Sequence, residues 1–277
     1  NFKKKKDIFT FIKKNKFPVI LKPKDGRGSR NVFLIKSKKE LLSQIKINKL
    51  ILKNNFLIQK FINGNQFSTE SLFYNKKHLT LISSRNYKSF QYLHPNIIEN
   101  GGTLNPKISK NLKDKIFYEI ERISNDLKIK NGPFKLDIVV KNNKIFFLEI
   151  AIRFGGGFVA SRCSKHLLGF NILEEYIKIL QKKKTNFSKT IKINNCITNR
   201  TIVAKKKGIL KKIEIKIPKI LKKNILFISK NKKIGEFVKP AGSHADRIIF
   251  FSVKARNPEI SENIAKKISE HIKLKVS

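Results

Sequence analysis

Phe134-Lys-Leu-Asp-Ile-Val-Val-Lys-Asn-Asn-Lys-Ile-Phe-Phe-Leu-Glu-Ile-Ala-Ile-Arg-Phe-Gly-Gly-Gly157 is the stretch on which the reading of the chain turns. Two apolar segments, 134–140 and 144–150, read as strands joined by a tight turn at Asn142-Asn143. Ile, Val, Leu and Phe surround their acids, so both strands are expected to be buried. A buried carboxylate is costly without a partner, which predicts a cation or strong donors beside Asp137 and Glu149. The register has two solutions. A two-residue turn sets Asp137 opposite Leu148 and sends Glu149 to the other face. A longer loop, or one bulge, sets Asp137 opposite Glu149 with Cβ atoms about 5 Å apart. In the second case the two acids make a hard-oxygen site of the kind Mg²⁺ accepts. The plainer alternative is two ordinary acids, one of them salt-bridged to Arg153.

Outside this hairpin, composition sets bounds. The 277 residues suffice for one large domain or two ordinary ones, and 40% hydrophobic content with scattered charge indicates a globular protein. The formal charge of +43 suggests nucleic acid at first sight. Lysine, however, greatly outnumbers arginine and is spread through helices, turns and strand ends, and Asn and Ile are also heavily used. All three residues have A/T-rich codons, so codon bias accounts for them together. A phosphate-binding surface would concentrate its cations and favour arginine. No specific nucleic-acid partner is therefore expected. Nor is a membrane one, because no apolar run approaches the ~20 residues a spanning helix needs. Asn1-Phe-Lys-Lys-Lys-Lys is not a signal peptide, and Cys163 and Cys196 match no metal or redox motif. A cytoplasmic protein is expected. The sequence contains no methionine, which leads us to expect a fragment of a longer chain.

The order of elements predicts an α+β protein. A short helix at 7–14 precedes a strand at 17–22, the loop Pro23-Lys-Asp-Gly-Arg-Gly-Ser-Arg-Asn31, and a strand at 32–36. Ser37 with Glu40 predicts a capping box opening a helix over 37–48. Strands are expected at 55–62, 66–74 and 78–84, then a long irregular segment near 86–110. Leu112, Ile116, Ile120, Ile123 and Leu127 recur at helical spacing and predict a helix over 110–128. After the central hairpin come a helix near 170–183 and a linker at Lys182–Asn186. Strands follow at 196–204, 208–217, 224–229 and 247–254, and a helix at 259–273.

Two further motifs carry chemistry. Lys22 ends an apolar strand and leads into a loop containing Gly26, Gly28 and Ser29, where glycines let backbone N–H groups turn toward phosphate oxygens. The Gly-Lys-Ser/Thr ending of a Walker loop is absent, and a strand rather than a helix follows, so the loop reads as a flap. In Leu57-Ile58-Gln59-Lys60-Phe61-Ile62-Asn63-Gly64-Asn65-Gln66-Phe67-Ser68-Thr69-Glu70, a strand breaks at glycine and resumes with a polar residue at every other position, and its main chain at 60–62 is placed to meet a purine edge.

In this order and spacing, Phe17-Pro-Val-Ile-Leu-Lys-Pro23 with Gly26-Arg-Gly-Ser29, Ile58–Gly64, Phe134–Asp137 and Leu148–Arg153 resemble the ATP-grasp superfamily over residues 8–182. Gly242-Ser-His-Ala-Asp-Arg247 and the last helix are similar to the C-terminal module of its L-amino-acid-ligase and biotin-carboxylase-like branch. The resemblance implies two α+β subdomains clasping ATP, a lid over 1–57 and a core over 58–184, with a small α+β module at 185–277. It implies that Lys22 holds ATP phosphates under the Gly26, Gly28, Ser29 lid, and that Gln59, Lys60, Phe61 and Ile62 form the adenine hinge. Gln66 would lie near the ribose, Asp137 and Glu149 would ligate Mg²⁺ (Mn²⁺ being a substitute), and Arg153 would neutralise the transferring phosphoryl group. The implied reaction is ligation of a small-molecule carboxylate, amino acids included, to an amine through an acyl phosphate. Oligomers are compatible with this. The alternatives are a bicarbonate-using carboxylase or carbamoyl-phosphate type, and a non-catalytic nucleotide- or nucleic-acid-binding protein. The chain departs from the family pattern at Gln59 and Gln66, where Glu is usual, and at Ala151, where many members place an Asn that also ligates Mg²⁺. The usual N-terminal domain and an upstream ATP-binding lysine have no counterpart in the sequence. Arg85, Arg162 and His244 are weaker substrate-contact candidates, and Cys163 is read as packing.

Overall fold

The computed structural model describes residues 5–48, 51, 56–187 and 193–277; the first residue of the strand expected from Asn55, and residues 1–4 of the expected lid, lie outside them. α1 (Lys5–Asn15) and α2 (Lys38–Ile47) pack on an antiparallel sheet of β1 (Val19–Pro23), β2 (Phe33–Ile35) and β3 (Phe56–Lys60), in the order β2-β1-β3. Alternate residues of β1 and β2 point inward, so Val19, Leu21, Phe33 and Ile35 meet Ile8, Leu41 and Ile45 in one closed core. Ser37 caps α2 by accepting from the Glu40 N–H. The other half of the expected capping box is redirected: the Glu40 carboxylate accepts from the Lys36 N–H at 2.8 Å and faces His94 at 3.2 Å.

The remainder of the chain builds around one antiparallel sheet of eight strands. In chain order its elements are β4 (Asn65–Tyr74), β5 (Lys77–Ser84), β6 (Gly102–Leu104), α3 (Lys110–Asp126), β7 (Gly132–Lys141), β8 (Lys144–Ala151), α4 (Ser164–Leu168), α5 (Ile172–Leu180) and β9 (Cys196–Val203). They continue through β10 (Gly208–Ile215), α6 (Lys219–Lys222), β11 (Ile225–Lys230), β12 (Phe237–Val238), β13 (Arg247–Ala255), α7 (Pro258–Glu270) and β14 (Ile272–Val276). The sheet order is β11-β13-β9-β6-β5-β4-β7-β8. Strands β9, β13 and β11 of the tail thus continue the core sheet across the position where the sequence suggested a module boundary at 184/185. A separate small sheet, β12-β10-β14, packs with α7 through Leu210, Val238, Ala265, Ile268 and Ile272.

The two faces of the large sheet have different tasks. On β7, Phe134, Leu136, Ile138 and Val140 join Phe67 and Phe73 of β4 beneath Ile116, Ile120 and Ile123 of α3. The period of two then sends Lys135 and Asp137 to the opposite face, with Glu70 and Ser68 of β4 directly beside them in register. Hydrophobic burial against α3 is therefore what aims the polar residues at the other side.

β8 departs from the sequence expectation. Both strands of the hairpin were expected to be buried, but β8 is the edge strand, and Phe147 and Ile150 are 41% and 43% exposed. An apolar run cannot by itself distinguish a central strand from an edge lacking a second neighbour.

Segment 86–110 is short of regular structure, yet it is tied down. It straps the two sheets together through Leu34 N–H to Pro95 O (2.8 Å) and Ile97 N–H to Val32 O (3.1 Å). Gly102 sits where this segment enters the large sheet, and a Cβ there would lie 1.8 Å from Ser84 O. Gly102→Ala should therefore lower unfolding stability by roughly 3 kcal/mol or more. In urea denaturation Gly156→Ala, whose Cβ meets nothing within 4 Å, should leave the midpoint near wild type.

Candidate active site

The register follows the second solution, with one bulge, although the turn itself is the two-residue one. The hairpin has a two-residue turn, with Asn142 and Asn143 at φ 49° and 58°, and pairs Lys141 with Lys144 through Ile138 with Phe147. One bulge then intervenes at Leu148, and Asp137 pairs with Glu149. The bulge has an identifiable clamp: Leu148 O, outside the register, accepts from Lys22 Nζ at 3.1 Å. Lys22 thus crosses from the small sheet to the large one and brings its charge against both acids. Burial lowers the Lys22 pKa, and the negative charges of Glu149 and Asp137 work against that shift.

Each acid has a cation nearby, although only Asp137 is largely buried. Asp137 Oδ2 pairs with Lys135 Nζ, while Asp137 Oδ1 is buried without a hydrogen-bond partner among the described residues. Glu149 is about half exposed and faces the Arg153 guanidinium at 3.8 Å. The salt bridge proposed as the plainer alternative is therefore present, together with the paired carboxylates. An orphaned carboxylate oxygen beside a second, open carboxylate is a donor set that a hard divalent cation fits.

Glu70 was not singled out in the sequence. It is 3% exposed, both its oxygens accept from the Gly155 N–H (3.1 and 2.8 Å), and burial raises its pKa. Gly155 leaves room for this contact, since a Cβ there would lie 2.2 Å from Glu70 Oε1 and the carboxylate would have to shift. These groups open into a cavity of about 140 Å³. Arg85, Glu99, Asn199 and Arg247 line its far end.

Glu99 organises that end. It is 6% exposed; Arg247 Nη2 lies 2.7 Å from its Oε1, Arg85 Nη1 lies 3.8 Å from the same oxygen, and His244 Nε2 contacts Oε2. Burial would push the Glu99 carboxyl up, but His244, Arg247 and Arg85 more than offset this and hold it well below the usual carboxylate range. His244 also reaches the glycine loop: its N–H donates to Gly28 O at 2.8 Å, and its ring Nε2 is 3.2 Å from Ser29 Oγ. Gly28 has φ +62°, a left-handed conformation that favours glycine. Gly26 is only in ordinary contact with Pro23.

The other sequence candidates are placed as follows. Gln59 and Lys60 pair with Ile20 and Val19 in the small sheet, and the Phe61 N–H is already taken by Pro18 O at 3.2 Å. Ile62 follows β3 in the link to β4. Gln66 Nε2 donates to Tyr87 OH at 3.1 Å. Arg162 stacks over Phe158 and Phe227 at 4.9 Å from each ring, away from the cavity lining. Cys163 is fully buried, as a packing residue should be, and its thiol is pushed up to about 11 by burial. The sequence reading gave no role to Glu70, Lys135 or Glu99. A lysine within an apolar strand, two residues from an acid, was the available signal for Lys135. Glu99 lies in an irregular segment that offers no periodicity.

Residues 6–157, more than half of the chain, match the ATP-grasp domain family. The chain belongs to that family. Among solved structures it is similar to phosphoribosylglycinamide synthetase from Anaerococcus prevotii (17% identity, TM-score 0.70), covering 100% of this chain and 68% of the other. It is also similar to L-amino acid ligase from Bacillus licheniformis (17% identity, TM-score 0.80; 97% and 67%). A third likeness is the biotin carboxylase domain of the Hydrogenobacter thermophilus 2-oxoglutarate carboxylase, in complex with MgADP and bicarbonate (12% identity, TM-score 0.69; 98% and 60%). At these identities the shared feature is the fold. No curated protein matches the sequence.

Replacing Glu99 tests the electrostatic hub. Glu99→Gln leaves Arg85 and Arg247 without their counter-charge and should cost roughly 3–5 kcal/mol in urea unfolding. Because the folded pKa of Glu99 is depressed, its contribution is present above its unfolded pKa of about 4.3 and is lost as pH falls through the lower folded value. The variant should show a shallower loss of stability below about pH 4 than wild type.

Proposed function

We propose that the chain is an ATP-dependent carboxylate–amine ligase, which activates a carboxylate as an acyl phosphate with Mg²⁺·ATP and releases ADP and phosphate. The observation that carries this reading is the Leu148 bulge, which pairs Asp137 with Glu149 and places Lys22 across them. Family membership makes ATP the cosubstrate, and the orphaned Asp137 Oδ1 with the open Glu149 carboxylate would hold its Mg²⁺. Bound there, the metal would draw negative charge from the phosphate oxygens.

The residues then have separate tasks. Lys22 adds a fixed positive charge between lid and core, and the Gly26–Ser29 loop closes over the phosphates with His244 and the Gly28 carbonyl holding it shut. Gln59–Ile62 border the adenine, and Gln66 lies toward the ribose. Arg153, on a partly exposed segment beside three glycines, can turn from Glu149 toward the transferring phosphoryl group. A substrate carboxylate oxygen attacks the γ-phosphorus, ADP leaves, and an amine then attacks the acyl carbon and displaces phosphate. Phosphoryl transfer needs charge neutralisation and alignment more than covalent help, and the site supplies charge of that kind. On this reading residues 1–57 are the lid and 58–184 the core. Residues 185–277 form a C-terminal α+β part that closes the substrate end. The carboxylate and amine are small molecules, amino acids among them.

Calorimetric titration of ATP with and without Mg²⁺ tests the proposal. Binding should be Mg²⁺-dependent and should weaken at least about tenfold in Glu149→Ala, the order expected when a charged ligand to the metal is lost. ATP affinity insensitive to both Mg²⁺ and the substitution would sink it.

A further inference from the structure

The residue left unexplained by this account is Lys135. It is 8% exposed in the interior of β7, between Phe134 and Leu136, which are fully buried. A buried ammonium is retained only where carboxylates surround it. Lys135 has one on each side: Asp137 Oδ2, two residues along the same face, and Glu70 opposite it on β4. On its other flank the paired residue is Ala151 of β8, whose methyl group brings no oxygen.

The donor count follows. One oxygen of Asp137 is occupied by Lys135 and the other is free. Glu149 is open, and Ala151 contributes nothing. Among the described residues no group of three or more His, Cys, Asp or Glu is placed to hold a metal. A pair of carboxylates with one oxygen already committed has room for one divalent cation, not two.

We propose that this site binds a single divalent cation with its nucleotide, and that Lys135 is the built-in second positive charge, fixed on Asp137 by the fold. This rests on the reading of Asp137 and Glu149 as the metal pair. Lys135 lines the same cavity as Glu149 and Arg153. Its ammonium therefore lies where a nucleotide phosphate can feel it, while it acts on the metal only through Asp137. It is a positioning residue. It withholds one carboxylate oxygen and supplies a positive group tethered to the chain.

The test is the stoichiometry of Mn²⁺ per bound nucleotide, measured by equilibrium dialysis with a non-hydrolysable ATP analogue and by the Mn²⁺ spin signal. Wild type should retain one Mn²⁺ with no spin–spin coupling. In Lys135→Met/Ala151→Asn, Asp137 Oδ2 is released and an amide oxygen is added opposite residue 135, on the same face of β8 as Glu149, so the count should rise to two with coupled spins. Lys135→Arg should stay at one. Two Mn²⁺ in wild type would overturn the proposal while leaving the metal pair intact. One in the double variant would also overturn it, since Lys135 would not then be what excludes the second ion. No retained Mn²⁺ in wild type would instead remove the metal-pair reading itself. The wild-type count needs no variant to fold.

Discussion

The Leu148 carbonyl held by Lys22 is the contact on which the rest of the site depends. A regular hairpin would put Glu149 on the face that packs α3, where Phe134, Leu136 and Ile138 leave no place for a charge. The bulge shifts the register by one residue, and the released carbonyl needs a donor. Lys22 provides it from a separate sheet, 126 residues away in sequence. One hydrogen bond thus sets the register of the large sheet's edge, joins the two sheets, and collects a lysine and two acids at one point.

The far end of the cavity follows the same logic with the opposite sign. Here a buried acid collects cations from two distant parts of the chain. Arg85 follows β5, Arg247 begins β13, and His244 stands in the turn before it. His244 continues the network to Gly28 and Ser29, so the glycine loop, the core sheet and the tail share a single charged centre. The Glu99 cluster and the glycine loop are in this way mechanically connected. A change in how Glu99 is satisfied must be felt by the residues that hold the loop down.

Much of this was legible in the sequence, and the remainder was hidden for definite reasons. Two apolar runs identified β7 and β8, the asparagine pair identified their turn, and helical spacing identified α3. Lys22, Asp137, Glu149 and Arg153 stood out as charges bordering apolar strands, and the structure brings all four together. The register stayed open because a bulge is decided by what receives its freed carbonyl, and that partner lies in another sheet. The exposure of β8 was missed because an apolar run carries no mark of being last in a sheet. Glu99 was missed because its partners come from two segments distant from it in the chain, a relation that no local pattern encodes.

The edge position of β8 gives the diffuse lysine content a physical role. An open strand carrying Phe147 and Ile150 on its surface is a template onto which another strand can add. Two copies of a chain with formal charge +43 must overcome strong mutual repulsion before such edges meet. At physiological ionic strength that repulsion acts over about 8 Å, more than the ~4.8 Å spacing of two paired strands, and added salt shortens it. The lysines thus act as colloidal insulation, leaving the edge free to border a ligand cleft while it is kept from its own copies.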